Sequence, residues 1–182
     1  SPFERFDAAT NELVQSDLPL ALRYFAGAGK AHMDEFGTPL ETFAKIRAKA
    51  SRHAANNPLA VFRTVVTEQE VMQAKMLWPG VLTRLMACPP TCGAAAAIVC
   101  SAAFAQKHGL DQRVRIKAQA MTTDKPVTFE ARDMREVVGF SMARDAAQQV
   151  YEAAGIGPQD IDVVELHDCF AQNELLSYEA LG

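Results

Sequence analysis

The second half of the chain alternates short apolar runs with capped helical stretches, and this alternation constrains the fold more than any other feature. Gly93-Ala94-Ala95-Ala96-Ala97-Ile98-Val99-Cys100 is a continuous run of small apolar residues. Alanine alone favours helix. The run is short, however, and a better helix follows at once, so it reads as a buried strand. Ser101 caps that helix and His108-Gly109 stop it. Val114, Ile116, Ala118 and Ala120 then alternate with polar residues at strand period. Residues 122–139 are polar and irregular. Ser141 caps a helix with apolar positions at Met142, Ala146, Val150 and Ala154, ended by Gly155. Gly157-Pro158-Gln159-Asp160 is a turn, residues 161–166 are a third short strand, and a last helix runs from about Asp168. The order β-α-β-α-β-α predicts an α/β layered sheet.

The first third has a different texture. Asp17 is placed to cap a helix that carries Pro19 in its first turn and runs to Gly37, with breaks at Gly27 and Gly29. Thr38-Pro39-Leu40-Glu41 reads as a capping box opening a second helix, with Leu40, Phe43, Ala44, Ile46 and Ala50 on its apolar face. That helix must end before Pro58. Thr67-Glu68-Gln69-Glu70 is a second capping box.

Composition excludes several function classes. With 49% hydrophobic residues and a net charge of −4 over 182 residues, the chain can build a core and has no basic field for nucleic acid. Every apolar stretch is interrupted by charge before it reaches membrane-spanning length. The four cysteines, Cys88, Cys92, Cys100 and Cys169, lack zinc-ligand spacing and fit a reducing compartment. Cys100, inside its apolar run, reads as a core residue.

Functional groups in layered α/β sheets gather where strands end. His167 is the first residue after the third strand, beside the start of the last helix. The positive end of a helix disfavours a cationic imidazole. A neutral one can donate a hydrogen bond to a developing oxyanion, or act as a general base. Asp168 reads as a helix cap, and no pattern supplies Cys169 with the base a nucleophile needs.

Val164-Glu165-Leu166-His167-Asp168-Cys169-Phe170, followed by Asn173-Glu174-Leu175 and Tyr178-Glu179-Ala180-Leu181-Gly182, resembles the His-Asp-Cys-Phe block of sterol-carrier-protein-type thiolases. Ala28-Gly29-Lys30-Ala31-His32-Met33 with Phe36-Gly37-Thr38, Phe43-Ala44-Lys45-Ile46, and His53 with Asn56-Asn57-Pro58 resemble that family's loop-domain segment in the same order. Cys88-Pro89 ahead of Gly93-Ala94-Ala95-Ala96-Ala97 resembles a further family segment. The resemblance implies a thiolase fold, a five-layer α-β-α-β-α sandwich with a helical loop domain that holds coenzyme A. It assigns residues 1–85 to the loop domain and 86–112 to the last strand and helix of the N-terminal half. Residues 113–182 become the first part of the C-terminal half.

The implied chemistry is acyl transfer to coenzyme A: thiolysis of a 3-ketoacyl-CoA, or its reversal as a Claisen condensation. The resemblance gives His167 an oxyanion-hole role and puts Cys169 and Phe170 beside the bound thioester. It sets Cys88 near the pantetheine arm and allows His32 and His53 to face the nucleotide of coenzyme A. Lys30, Lys45, Arg47, Lys49 and Arg52 form a basic stretch suited to its phosphates. The family's nucleophilic cysteine would lie upstream of Ser1, and its Gly-His-Pro and Cys-x-Gly motifs downstream of Gly182. The chain by itself is therefore expected to be inactive. Pro90-Thr91-Cys92, Tyr24 and Ala26 depart from the family pattern near the expected acyl pocket. The substrate is acyl-CoA, with no covalently bound cofactor and no metal. A homodimer is expected, in a bacterial cytoplasm or a peroxisome. Alternative readings are a thiolase-like acyltransferase or retro-aldolase subunit working with a small OB-type partner protein, and a non-catalytic lipid or acyl-CoA carrier.

Overall fold

The computed structural model describes residues 4–14 and 17–182. Helices dominate. The first third folds as α1 (Glu4–Leu13), α2 (Leu20–Phe36), α3 (Leu40–Ala55) and α4 (Glu68–Gln73). α2 runs unbroken through Gly27 and Gly29, since both glycines keep helical geometry and serve close packing instead. It ends at Gly37, whose φ of 69° returns the chain by a left-handed turn and whose N–H donates to the Met33 carbonyl. Its N-cap is Pro19 rather than Asp17. α3 opens on Pro39 without a side-chain cap, because the Thr38 hydroxyl lies 2.8 Å from His32 Nδ1 instead. The capping box at α4 forms: Glu70 N donates to Thr67 Oγ1, and Thr67 N donates to Glu70 Oε2 at 2.7 Å.

A small antiparallel hairpin follows, β1 (Met76–Trp78) and β2 (Leu82–Thr83), turned at Gly80 with φ 71°. A 3-10 turn at Arg84–Met86 leads into an extended segment. Beyond it lie α5 (Ala102–Lys107), α6 (Val127–Glu130), α7 (Met134–Val137), α8 (Phe140–Ala154) and α9 (Ala171–Leu181). Ser101 caps α5 as expected, accepting from Phe104 N, and His108 closes it. α8 starts at Phe140, one residue before Ser141, with Gly139 as its N-cap, and ends on Gly155 with φ 68°. Ser141 Oγ donates to Glu136 Oε1 rather than capping.

The three expected strands are the main correction. Residues 93–100, 114–120 and 161–166 have no regular secondary structure and join no ladder among the described residues. Ile98, Val114, Ile116 and Val163 are exposed, and so is Cys100, which the sequence placed in a core. A strand's backbone groups are satisfied only by a neighbour. None of these runs pairs with another among the described residues, so apolar pattern alone does not make them a sheet. The fold is thus helix-rich, with one two-stranded sheet among the described residues.

Two apolar clusters hold it together. The larger joins α2, α3, α4 and the hairpin to the start of α9, through Ala26, Phe43, Ala44, Val71, Leu82, Met86, Cys169 and Phe170. The smaller sits on the other side of α2 and contains Val14, Ala28, Met134, Val137 and Leu176. Trp78 packs against both. α2 and α9 approach closely because Gly29 has no side chain: a Cβ there would lie 2.2 Å from Gln172 Cγ. Gln172 is fully buried and donates from Nε2 to the Val81 carbonyl at 2.9 Å, tying α9 to the hairpin.

Candidate functional site

The His-Asp-Cys-Phe segment is held by backbone pairing from a distant part of the chain. Ala87 and Phe170 form an antiparallel bridge, and Cys88 N donates to Cys169 O at 2.9 Å. Cys88 and Cys169 therefore stand opposite each other across this short pairing. Phe170 stacks on Phe25 with ring centres 5.1 Å apart, and becomes the N-cap of α9 without a side-chain cap. α9 starts at Ala171, so Asp168 lies outside it and does not cap it. Asn173 Nδ2 donates to the His167 carbonyl at 2.8 Å, turning the chain into the helix.

This pairing closes one side of a cavity of about 700 Å³. That volume falls inside the roughly 300–1,000 Å³ of small-molecule sites. α3 supplies one wall with Ile46, Arg47, Lys49, Ala50, His53 and Ala54. Leu85, Met86, Ala87, Cys88, Pro89 and Thr91 supply another, and Val164, Glu165, Leu166 and Asp168 face them. Ala171, Glu174 and Tyr178 of α9 complete it. A second cavity, about 580 Å³, lies between α2 and residues 131–135. Its charge is already taken up, since Arg135 grips Asp133 and Glu35 together.

The structure distributes the sequence-predicted residues unevenly. Cys88 lines the first cavity. His167 is exposed, its imidazole makes no hydrogen bond among the described residues, and it does not line the cavity although both of its neighbours do. Cys169 and Phe170 are buried in the larger core. Burial, with smaller contributions from Cys88 and Asp168, pushes the Cys169 thiol up to about 11, so it is protonated near neutral pH. His32 is also buried, with Thr38 Oγ1 on Nδ1 and Glu179 Oε1 at 2.9 Å from Nε2. The tautomer protonated on Nε2 satisfies both partners, and the ring lies off the cavity. His53 does line it.

The basic stretch divides in the same way. Lys30 pairs with Asp34 at 2.6 Å on α2, away from the cavity. Arg47 and Lys49 face it. Arg47 makes no side-chain hydrogen bond or salt bridge among the described residues and acts on Asp168 only through space. Lys49 is engaged by Glu174 and by the Tyr178 hydroxyl, which also donates to Glu174. The Glu174 side chain is only 4% exposed. Asp168 lines the same cavity and stays exposed at its surface; partial desolvation first, then the neighbouring Glu174, hold its pKa above the ordinary range. Sequence reasoning missed this cluster. The i,i+4 spacing of Glu174 and Tyr178 on one helix face was a visible signal, but Lys49 lies too far away in sequence to announce itself.

Residues 125–182 match the family model described as thiolase C-terminal domain-like. Sterol carrier protein 2 of Rattus norvegicus is 47% identical over 184 residues, covering 100% of this chain and 34% of the rat protein. The chain belongs to the thiolase superfamily, in its sterol-carrier-protein type. Two further relatives bracket that type. The non-specific lipid-transfer protein-like 2 of Caenorhabditis elegans is 36% identical, covering 90% of this chain and 40% of that protein. The benzoylsuccinyl-CoA thiolase subunit BbsB of Thauera aromatica is also 36% identical, covering 87% of this chain and 40% of the subunit. This thiolase-superfamily chain spans about a third of the length of the sterol carrier proteins it matches. Among the described residues, no helix is long and apolar enough to cross a membrane.

Proposed function

We propose that this chain builds the coenzyme A side of an acyl-CoA thiolase site, where a 3-ketoacyl-CoA undergoes thiolysis or the reverse Claisen condensation. One observation carries the reading. A cavity of about 700 Å³ is walled by α3 on one side and by Val164, Glu165, Leu166 and Asp168 on the other, with Arg47 inside it making no ion pair among the described residues. A half-buried guanidinium without a carboxylate partner suits an anionic ligand group such as a phosphate. The pantetheine arm would pass Cys88, where the wall is closest to the backbone of Cys169. His167, exposed and with no side-chain hydrogen bond among the described residues, would serve as the donor to the thioester oxygen. Cys169 and Phe170 support the segment that carries it from beneath. In the whole protein, residues 93–100, 114–120 and 161–166 would pair as strands of the five-layer sandwich. Residues 1–85 would then act as the loop domain, followed by the two partial halves, in a homodimer.

The test is a thiolysis assay on the full-length protein with 3-ketoacyl-CoA and coenzyme A. His167→Ala should lower kcat by about 10²–10³-fold with little change in KM, the mark of a transition-state donor. Arg47→Ala should raise KM about tenfold and leave kcat nearly intact. A second reading, a non-catalytic lipid or acyl-CoA carrier, is favoured by relatives named for sterol carriage and lipid transfer. It is the better account if the wild type shows no thiolysis and acyl-CoA binding survives His167→Ala.

A further inference from the structure

We propose that Cys88 and Cys169 form a redox modification site: a hydroperoxide oxidises the exposed Cys88, and Cys169 closes a reversible disulfide with it across the Ala87–Phe170 pairing. The backbone sets the geometry. Ala87 and Phe170 are bridged antiparallel, and Cys88 N donates to Cys169 O at 2.9 Å. One step along each stretch from that bridge, the two cysteines face each other. Facing residues of an antiparallel pair put their side chains on the same face, with Cα atoms about 5.5 Å apart at a hydrogen-bonded position. Disulfides span Cα separations of roughly 4.4–6.8 Å. A second observation agrees. After burial, the charge of Cys88 is the largest influence on the Cys169 thiol, so the two sulfurs lie within electrostatic reach.

The same geometry makes the bond reversible. Cβ atoms at a hydrogen-bonded position lie near the upper end of about 4.5–5.5 Å, farther apart than the roughly 3.5–4.5 Å of a relaxed disulfide. Closure draws the two stretches together, and a bond closed under strain is readily reduced. The two thiols are unequal. Cys88 is exposed and lines the cavity of about 700 Å³, whereas Cys169 is 7% exposed in the larger core. Cys88 therefore meets a dissolved oxidant first. Its thiolate attacks one oxygen of hydrogen peroxide, the O–O bond breaks, and hydroxide leaves a sulfenic acid behind. Cys169 gives its proton to that hydroxide and attacks Cys88 Sγ. The S–S bond forms, the S–O bond breaks, and the second hydroxide takes up the proton that Cys88 released. Two thiols and one peroxide thus give one disulfide and two waters. Burial slows the attack by Cys169, and its fixed place opposite Cys88 offsets this. Cys92 and Cys100 are exposed too, but no backbone pairing holds either against Cys169 among the described residues. Only the shielding of Cys88 by a bound ligand rests on the coenzyme A reading of the cavity.

The experiment treats the full-length protein with hydrogen peroxide, blocks the remaining thiols, and maps linked peptides by mass spectrometry before and after dithiothreitol. The expected product is a Cys88–Cys169 link, formed at a rate independent of protein concentration and lost on reduction. Cys88→Ser should abolish it and Cys92→Ser should retain it; both positions are exposed, so neither variant disturbs the core. In Cys169→Ser, Cys88 should stop at the sulfenic acid and be trapped by dimedone. If that variant does not fold, the other two decide. A Cys169 that stays reduced, or that links to any other cysteine, overturns the proposal. Acetyl-CoA at ten times its Kd should slow the oxidation of Cys88 about tenfold, because only that fraction of sites stays free. A link that forms equally fast with acetyl-CoA present would keep the cysteine pair and discard the coenzyme A reading.

Discussion

At Cys169, burial raises the pKa to about 11 in a residue the sequence allowed as a nucleophile. At pH 8 such a thiol holds about a hundredfold less thiolate than an unperturbed one. Alkylation of Cys169 in the native protein should therefore be at least ~100-fold slower than after unfolding, read by mass spectrometry of the labelled peptide; equal rates would mean that the thiol is neither buried nor perturbed. Gly29 makes the opposite kind of claim, about space. A methyl group there would meet the Cγ and Cβ of Gln172, whose amide is fixed on the Val81 carbonyl. Gly29→Ala should cost about 1–3 kcal/mol by overpacking, measured by denaturant unfolding, although alanine is the better helix former. Single residues were legible in sequence where a local rule governs them, as with His108 closing α5. His32 was not, because the groups that satisfy it, Thr38 and Glu179, come together only in the fold.

Among elements, the capped helices were readable, while α1, the short α6 and α7 inside the stretch read as irregular, and the strands were not, for a physical reason. A helix satisfies its own backbone, so Thr67, Ser101, Gly37 and Gly155 announce boundaries that the structure keeps. Even there competition shifts the details: Thr38 and Ser141 have side chains able to cap, and each bonds elsewhere. The box at α4 is the cleanest case. Glu70 accepts from the Thr67 backbone and hydroxyl, which holds its carboxyl below the usual range. Thr67→Ala removes one half of the reciprocal pair and should lower stability by about 1 kcal/mol in the same unfolding experiment. A change under a few tenths would show that the short helix is held by Val71 in the core rather than by its cap. Strand pattern, in contrast, states only that a segment fits a pleated and half-buried surface. It does not supply the neighbour.

Across the whole molecule, the candidate site is assembled from segments that share no local signal. α3, residues 85–91, residues 164–168 and α9 meet at the cavity because the bridge between Ala87 and Phe170 draws two distant stretches together. The family resemblance named Cys88 and the basic residues of α3 for the same ligand as the motif block, but Glu174 and Tyr178 on α9 stayed invisible. The same long-range dependence governs the three apolar runs. Residues 93–100, 114–120 and 161–166 carry exposed Ile98, Val99, Val114, Ile116, Val163 and Val164, with no ladder among the described residues to protect their amides. Exposed apolar backbone of this kind is a template for pairing. The 182 residues on their own should therefore bind a hydrophobic dye and self-associate as concentration rises. Their hydrogen exchange should divide sharply: amides of α2, α3 and α9 slow, those of the three runs close to the unstructured rate. In the full-length protein the three runs should become protected together, because each gains its backbone partners only when a neighbouring strand is present. Protection of the runs in the 182 residues alone would show that they pair with one another, and would move the missing neighbour inside this chain.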